Sequence, residues 1–402
     1  MNRLSERQYQ RTHPWITFQL DLGRLSHKTW LLLGEAESKC QHVAGVPLRP
    51  AVAEKLHGIY LTKGIHGTTA IEGNTLSADE VHKRITEGLD LPPSRDYLGK
   101  EVDNILKAFN EIVNDVTARR PLHLTPERIA RFNAQVLEGL ELEEGVVPGK
   151  VRTHPVAVLN YRGAPPEDCE LLLHRMCEWL NDMAVDDPAM TFSVAALKAI
   201  LAHLYIAWIH PFGDGNGRTA RLIEFQLLVQ AGVPIPSAHL PSDFYSKTRE
   251  VYYRELAKTS REPYQIERFI HYAMQGFVDE LREQLEDIRR EQLRVAWENY
   301  VHDVFRDRDT PAKRRQKYIV LDLTERDEPI AASKLPALSP RVATGYAGKD
   351  KKAITRDVNQ LLDRQLVRRE RRGLVANIDI MRAFLPVRAA LEDDDIATYV
   401  NL

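Results

Sequence analysis

The chain has 402 residues, of which 43% are hydrophobic and 28% charged, and a formal net charge of −2 at pH 7. This length is enough for two or three domains, and the three cysteines (Cys40, Cys169 and Cys177) form neither a disulfide framework nor a CxxC metal pair. Without an uncharged apolar run of about 18 residues, or the apolar core of a signal peptide, we expect a cytoplasmic protein with no membrane partner.

Helical periodicity dominates the N-terminal part of the chain. The stretch that begins at Ala51 predicts an amphipathic helix leading into Glu72, followed by a turn at Gly73–Asn74. Further amphipathic helices are predicted over Tyr97–Asn114 and Thr125–Leu140, the second with a threonine cap and a proline at its first position. The chain is therefore expected to be mainly α.

A short β segment interrupts this pattern within Gly149–Pro166. Val156 and Val158 alternate with other residues, which predicts a strand with one solvated face, and the proline pair Pro165–Pro166 ends it. A structural hairpin that only covers the core is the competing interpretation.

A glycine-rich loop separates the next two predicted helices. The first helix, Thr191–Ile209, is apolar on most sides and is expected to be buried, and Pro211 ends it. The loop and the start of the second helix, His210–Arg221, read HPFGDGNGRTAR, and the second helix begins at Asn216 or Gly217.

The residue types in this loop are suited to a phosphate. Glycines expose backbone N–H groups, and the start of a helix directs its positive end to the same place. Arg218 and Arg221 share one helix face and supply fork-shaped donors. Asp214 is a candidate for Mg²⁺, and His210 is a candidate base near neutral pH. A tight turn between core helices is the alternative, and the absence of a GxxxxGK[ST] stretch excludes a Walker-type loop.

The segment Ser242–Leu256 contributes aromatic candidates. Tyr245, Tyr252 and Tyr253 could stack on a nucleoside base, and buried core tyrosines are the competing interpretation. His203 lies on the apolar helix, where a hydrogen-bonded core histidine is favoured.

The C-terminal part is basic. Residues 311–376 contain 16 Lys and Arg against 8 Asp and Glu, a net charge near +8. The order of helix, helix and hairpin resembles a winged helix-turn-helix, with Ile354–Leu366 as candidate recognition helix and Val367–Ile378 as wing. DNA binding is the sharper hypothesis. Protein contacts are the alternative, because Asp357, Asp363 and Glu370 dilute the positive patch.

The glycine-rich stretch resembles the signature of the Fic (Fido) family, HxFx[DE]GNGRxxR, at every fixed position. The resemblance implies a Fic helical core that transfers a nucleotide monophosphate, usually AMP from ATP, to a Ser, Thr or Tyr hydroxyl of a protein. His210 would then deprotonate the hydroxyl, Asp214 would hold Mg²⁺ or Mn²⁺, Arg221 would bind the γ-phosphate, and Phe212 would anchor the loop. The remaining phosphate contacts would come from Gly215, Asn216, Gly217 and Arg218.

The resemblance also implies a regulatory motif, [ST]xxxE[GN], which Thr68, Glu72 and Gly73 match in the expected order, N-terminal to the core. Glu72 would pair with Arg221 and remove the cation that should bind the γ-phosphate. The alternative is that Glu72 only ends a surface helix.

Two further sets of residues take roles from the family. The β segment would be a hairpin flap that pairs with the target's backbone through Val156, Ala157, Val158 and Leu159. Among the tyrosines, the family favours Tyr245 and Tyr253 at the nucleoside.

The expected plan has four regions: a helical region carrying the inhibitory motif (1–115), the Fic core with its hairpin flap (116–260), a helical linker (261–308) and a winged-helix-like α+β domain (309–402). The expected function is a self-inhibited protein adenylyltransferase that modifies a target protein and itself. AMP removal, another donor nucleotide and a nucleotide-sensing DNA-binding regulator remain the alternatives. Expected partners are ATP and an unidentified target protein; a homodimer that controls Glu72 and DNA at residues 311–376 are further candidates.

Overall fold

The computed structural model describes residues 7–120, 123–158, 161–183, 187–306, 310–326 and 328–382. The chain divides into two compact units, Met1–Leu285 and Glu286–Leu402. The predicted mainly α fold is confirmed, because the strands of the described residues form only two short antiparallel hairpins.

The helices, in chain order, are α1 (Gln8–Thr12), α2 (His27–Gly45), α3 (Pro50–Ile71), α4 (Ala78–Glu87), α5 (Asp96–Thr117), α6 (Pro126–Val136), α7 (Pro166–Asp182), α8 (Thr191–Ile209), α9 (Asn216–Gln230), α10 (Ile235–Ala238), α11 (Leu240–Lys247), α12 (Arg249–Thr259), α13 (Ile266–Val304), α14 (Pro311–Thr324), α15 (Pro340–Tyr346) and α16 (Lys351–Asp363). The strands are β1 (Ala157–Val158), β2 (Tyr161–Arg162), β3 (Val367–Glu370) and β4 (Gly373–Ala376).

Helices α8 and α9 form the centre of the first unit. Helix α8 is apolar around its whole circumference, which is typical of a buried helix. Within the described residues, Pro188–Ile209 is long and apolar enough to cross a membrane, and 78% of its most apolar window is buried inside the protein, as in a core helix. The loop between α8 and α9 is thus carried by the most deeply packed elements of the unit.

Helix α3 packs closely against α11. A Cβ atom added at Gly67 would lie 2.6 Å from the carbonyl oxygen of Ser242, and one at Gly64 would lie 2.5 Å from Nδ1 of His239. Glycine at position 67 permits the close approach of the two backbones, and glycine at position 64 leaves room for the His239 side chain just before α11. The close packing fixes the position of the C-terminal end of α3, where Glu72 follows.

One predicted helix is shorter than expected. Thr125 caps α6 by accepting a hydrogen bond from the Arg128 N–H, as predicted, but the helix ends at Val136 rather than near Leu140. The chain turns because Gly139 adopts a left-handed conformation, with φ of 70°.

The second unit has its own core around Trp297, Ile319 and Leu361. The predicted recognition helix begins earlier than expected, at Lys351, because Asp350 caps it by accepting a hydrogen bond from the Ala353 N–H. It ends at Asp363 rather than Leu366, and the β3–β4 hairpin follows.

Candidate active site

His210 occupies the junction between α8 and the loop. It is the C-cap of α8 with φ of 50° and ψ of 58°, a left-handed conformation that is uncommon outside glycine. The N–H of His210 still donates to the Ile206 carbonyl oxygen at 2.9 Å, so the chain leaves the helix immediately after this residue. Such backbone strain is found at functional sites when the surrounding structure holds it in place.

Asn216 closes the loop on itself. The Phe212 N–H donates to Oδ1 of Asn216 at 2.9 Å, and Nδ2 of Asn216 donates to the Phe212 carbonyl oxygen at 2.8 Å. Phe212 is buried, as the family resemblance implies for an anchor. The Asn216 side chain is therefore engaged in loop geometry, and an anion would meet its backbone N–H at the start of α9.

Asn133, on α6, supports the loop from outside and was not identified from the sequence. Its Nδ2 donates to the Asp214 carbonyl oxygen at 2.8 Å, and its Oδ1 accepts from the Gly149 N–H at 3.0 Å. Gly215 has a φ of 75°, and an added Cβ would lie 3.0 Å from Nδ2 of Asn133. Glycine is thus required at this position for both conformation and space.

The loop borders a cavity of about 680 Å³, a size that suits a nucleotide-sized ligand. The predicted site residues that line it are Glu72, Val156, Ala157, Val158, His210, Asp214, Gly215, Asn216, Gly217 and Tyr253. Thr68, Gly73, Arg218, Arg221 and Tyr245 are not part of its lining, and Leu159 lies outside the described residues.

Arg221 is completely buried beside this cavity and bonded to the N-terminal motif. Its Nη2 donates to Oε1 of Glu72 at 2.6 Å and to the Thr68 carbonyl oxygen at 2.9 Å. Its Nε and Nη1 have no hydrogen-bond partner within the described part of the chain. The guanidinium therefore has donors to spare for a further anion.

The Glu72 carboxylate lies against the first turn of α9. A Cβ added at Gly217 would lie 2.2 Å from Oε1 of Glu72. Burial tends to raise the pKa of this carboxyl, but the charges of Arg221 and Arg218 and the Arg221 hydrogen bond outweigh it and lower the pKa. An ionised carboxylate thus occupies the helix N-terminus that would otherwise receive a phosphate.

The turn after α3 holds Glu72 in this place. Gly73 has a φ of 101°, which favours glycine, and the Asn74 N–H donates back to the Thr69 carbonyl oxygen. Nδ2 of Asn74 donates to the Leu98 carbonyl oxygen at 3.0 Å and to Oε2 of Glu101 at 2.8 Å. The motif is therefore attached to α5 as well as to Arg221.

Arg218 is paired with two carboxylates. Nη1 donates to Glu101 at 2.8 Å and Nη2 to Asp214 at 3.2 Å, and the side chain is only 5% exposed. Burial raises the pKa of the Glu101 carboxyl although Arg218 lies beside it. Glu101 was not identified from the sequence, because an ordinary acid on an amphipathic helix gives no signal of its buried partner.

A comparison with known protein families finds a match that covers the loop. Residues 123–228, which include the whole loop between α8 and α9, match the model of the Fic/DOC family. This part of the chain is therefore similar to a Fic domain.

Several curated relatives are similar to the chain around this domain. It is 30% identical over 195 residues to the protein adenylyltransferase fic-1 of Caenorhabditis briggsae, covering 48% of this chain and 35% of the relative. It is 32% identical over 195 residues to the protein adenylyltransferase Fic of Drosophila grimshawi, covering 48% of this chain and 37% of the relative. The chain thus matches little more than a third of these relatives' length.

Solved structures support the fold. A Fic family protein from Desulfovibrio desulfuricans superposes with a TM-score of 0.53 at 17% identity, over 90% of this chain and 94% of the other.

The predicted hairpin is present beside the cavity that His210 lines. Strand β1 pairs with β2, with Val158 opposite Tyr161, and both residues of β1 are exposed. The Tyr161 hydroxyl donates to the Trp208 carbonyl oxygen at 2.7 Å, which attaches the hairpin to the end of α8. The exposed backbone of β1 is an edge that an extended segment could join.

The two favoured tyrosines have different surroundings. Tyr253 lines the cavity, and the Arg249 guanidinium lies over its ring. Tyr245 is fully buried, with its hydroxyl donating to Glu224 at 2.8 Å and its ring stacked on Tyr252. The structure therefore does not bring Tyr245 to the cavity, and Tyr252, which does line it, is the neighbouring aromatic surface.

His203 is a core residue, as favoured from the sequence. Nδ1 of its ring lies 2.7 Å from Oε2 of Glu224, and Nε2 lies 2.7 Å from the Tyr252 hydroxyl. The ring therefore connects α8 to α9 and α12 within the interior.

Arg152 supports the backbone around His210 and was not identified from the sequence. Its buried guanidinium donates to the carbonyl oxygens of His210 at 2.7 Å, His154 at 2.8 Å and Ala164 at 2.5 Å. The described residues place no carboxylate within ion-pair distance of it. Its hydrogen bonds therefore hold the backbone of His210 and the hairpin segment together.

This arrangement sets the protonation of His210. Burial and, next, the Arg152 charge lower the pKa of the His210 imidazole to about 4, against opposing contributions from Glu72 and Asp214. The imidazole is therefore neutral at pH 7 and able to accept a proton.

For the AMP transfer that the family resemblance implies, we expect the pH profile of kcat/KM to reflect this shift. Because the neutral imidazole is the active form, activity should persist below pH 6.5 and fall only as the pH approaches about 4. Initial rates of a Glu72→Gly variant test this, with circular dichroism showing that the protein stays folded. An acid limb at 6.5 or above would contradict the assigned environment.

Arg152 is predicted to act as a positioning residue for His210. Arg152→Gln in the Glu72→Gly background should lower kcat by about tenfold through misplacement of the imidazole. It should also move the acid limb of kcat/KM upward, because the Arg152 charge lowers the His210 pKa. Lys150→Gln, at an exposed neighbour, is the control. A lower melting temperature without a shifted pH profile would show a purely structural role.

Proposed function

We propose that this chain is a protein adenylyltransferase that moves AMP from ATP to hydroxyl groups of a target protein and of itself. The observation that carries the proposal is the convergence of His210, Asp214 and the N-terminus of α9 on one cavity, with Arg221 buried beside it. The names of the curated relatives support the same reaction.

In this reaction the attacking hydroxyl oxygen forms a bond to the α-phosphorus of ATP. The bond from that phosphorus to the α–β bridging oxygen breaks, and pyrophosphate leaves with the electron pair. The hydroxyl proton passes to the neutral His210 imidazole. Backbone N–H groups at the start of α9 and the positive end of that helix stabilise charge on the phosphates.

A divalent cation fits the same site. Asp214 lines the cavity with a side chain that is 50% exposed, and Mg²⁺ commonly uses one or two carboxylates plus substrate phosphates. The described residues hold no group of three or more His, Cys, Asp and Glu that could form an all-protein metal site. Asp214 would therefore hold Mg²⁺ or Mn²⁺ together with ATP, and the ion would neutralise phosphate charge.

Inhibition by Glu72 is part of the proposal. Its carboxylate takes a donor of Arg221 and lies against Gly217, so a γ-phosphate directed to the same place would meet a like charge. Two anions cannot share one cationic position at low cost in a buried site. The chain would thus bind ATP weakly, or in an unproductive pose, until Glu72 moves.

The exposed edge of β1 supplies the place for the target. An extended segment paired with Ala157 and Val158 would run along the rim of the cavity that also contains His210. Main-chain hydrogen bonds of this kind hold a segment with little demand on its sequence.

The test is to determine which phosphate of ATP is transferred to protein. We incubate Glu72→Gly protein with Mg²⁺ and ATP labelled at either the α- or the γ-phosphorus, and expect only the α-label on protein, with a mass gain of one AMP. Transfer of the γ-label would identify a kinase-type reaction. No transfer from ATP, CTP, GTP or UTP would overturn the proposal and favour AMP removal or nucleotide sensing.

A further inference from the structure

Two acids of the basic segment 311–376, Asp322 and Asp357, are buried among hydrogen-bond partners. Asp357 is 2% exposed and accepts hydrogen bonds from Gln316 and from the Tyr346 hydroxyl, both at 2.8 Å, while Arg315 lies 3.1 Å away. Asp322 is bonded to Arg341. Of the acids that dilute the positive charge in the sequence, Asp357 is thus withdrawn from the surface in the fold, whereas Asp363 stays exposed at the end of α16.

Near the hairpin the acids remain exposed but are engaged with neighbouring groups. Glu370 and Asp379 both pair with Arg368, and Asp350 caps α16. A set of exposed cations remains that has no side-chain partner within the described residues: Lys349, Lys351, Lys352, Arg356, Arg369, Arg371 and Arg372. The excess of positive charge is therefore concentrated on α16, its N-terminus and the hairpin.

Helix α16 presents two of these cations on one face. It buries Val358 and Leu361, whereas Lys352, Arg356 and Asn359 follow at intervals of four and three residues on the opposite, exposed side. Arg and Lys donate to guanine, and Asn pairs with adenine, in the major groove of DNA. These are the side chains that a recognition helix uses, and they lie in its N-terminal two thirds.

The hairpin completes the arrangement. Strands β3 and β4 follow α16 after three residues and turn at Arg371 and Arg372, and Ile330 adds a bridge to Leu374 on the other edge of β4. The order is therefore helix, strand bridge, two helices and hairpin.

We propose that the second unit binds duplex DNA, with the Lys352–Arg356–Asn359 face of α16 in the major groove and the Arg371–Arg372 turn against the phosphate backbone. This inference rests on the second unit alone and is independent of the proposed AMP transfer.

The test uses the full-length chain and a labelled duplex of random sequence, about 30 bp or three helical turns long. Fluorescence anisotropy at several salt concentrations should give a Kd of about 10⁻⁴ to 10⁻⁶ M at physiological salt, weakening linearly on a log–log plot. Arg371→Ala/Arg372→Ala should weaken binding about tenfold and reduce the salt slope by about 2.

A second variant separates base contacts from phosphate contacts. After enrichment of preferred sequences from a random duplex pool, Asn359→Ala should lose preference for the enriched duplex while keeping its affinity for random duplex. All altered side chains are exposed, so melting temperatures should match the wild type.

The matched control removes three exposed cations from the first unit, Lys83→Ala/Lys100→Ala/Lys107→Ala, and should leave DNA binding unchanged. Failure of the wild type to bind duplex at low salt would overturn the proposal and assign this surface to a protein partner. Equal weakening by the control and the hairpin variant would overturn it as well.

Discussion

Replacing Glu72 with glycine is expected to raise the initial rate of AMP transfer about 5- to 150-fold, the range of a typical coupling between two sites. The variant removes the carboxylate that lies 2.6 Å from Nη2 of Arg221 and against Gly217. Arg221 then has four unused N–H donors, including those of Nε and Nη1, which already lack partners among the described residues. A γ-phosphate can take the place of the carboxylate without like-charge repulsion.

Two control variants define the cause. Glu72→Gln keeps the size and removes the charge, so it should activate less than glycine, because the amide still fills the space. Glu54→Ala changes an exposed acid on the same helix and should leave the rate at the wild-type level. Equal rates for wild type and Glu72→Gly, with ATP saturating in both, would show that this carboxylate does not inhibit.

Replacing His210 with alanine in the Glu72→Gly background is expected to lower kcat for AMP transfer by about 10²- to 10⁴-fold, the usual contribution of a positioned general base. The imidazole lines the cavity and is neutral because its pKa is about 4, so its loss removes the acceptor for the hydroxyl proton. ATP affinity should change little, because no phosphate contact is assigned to this side chain.

Initial rates at saturating ATP and calorimetric binding of ATP measure the two effects separately. His42→Ala, at an exposed histidine of the same unit, serves as the matched control. A His210→Ala variant that transfers AMP at the parental rate would remove the imidazole from the mechanism.

The site residues that belong to the loop motif could be predicted, because the motif fixes both the residue types and the spacing between them. The positions of His210, Asp214 and the start of α9 around one cavity follow the expectation from HPFGDGNGRTAR. The pairing of Glu72 with Arg221 also follows the order of the two motifs, although 149 positions separate them.

Supporting residues could not be predicted in the same way. Arg152 and Asn133 bond mainly to backbone groups of the loop and its neighbours, and a backbone partner leaves no residue type in the sequence. The burial of Tyr245 could not be predicted for a related reason. An aromatic residue that stacks on a base and one that packs in a core have the same local sequence pattern.

Charge balance in the second unit shows the same limit. The sequence gives the net charge, but only the fold shows that Asp357 faces the interior and that Glu370 is paired with Arg368. Composition therefore does not show where the cations without a side-chain partner lie, and the fold places them at α16 and the hairpin.

The most direct test of the central account is the affinity for ATP relative to ADP, measured by calorimetry in a His210→Ala background that prevents turnover. If Glu72 blocks the γ-phosphate position at Arg221, Glu72→Gly should tighten ATP binding by about tenfold or more and leave ADP binding almost unchanged. The further change Arg221→Ala should abolish that gain. An ATP-to-ADP affinity ratio that is the same with and without Glu72 would contradict the account.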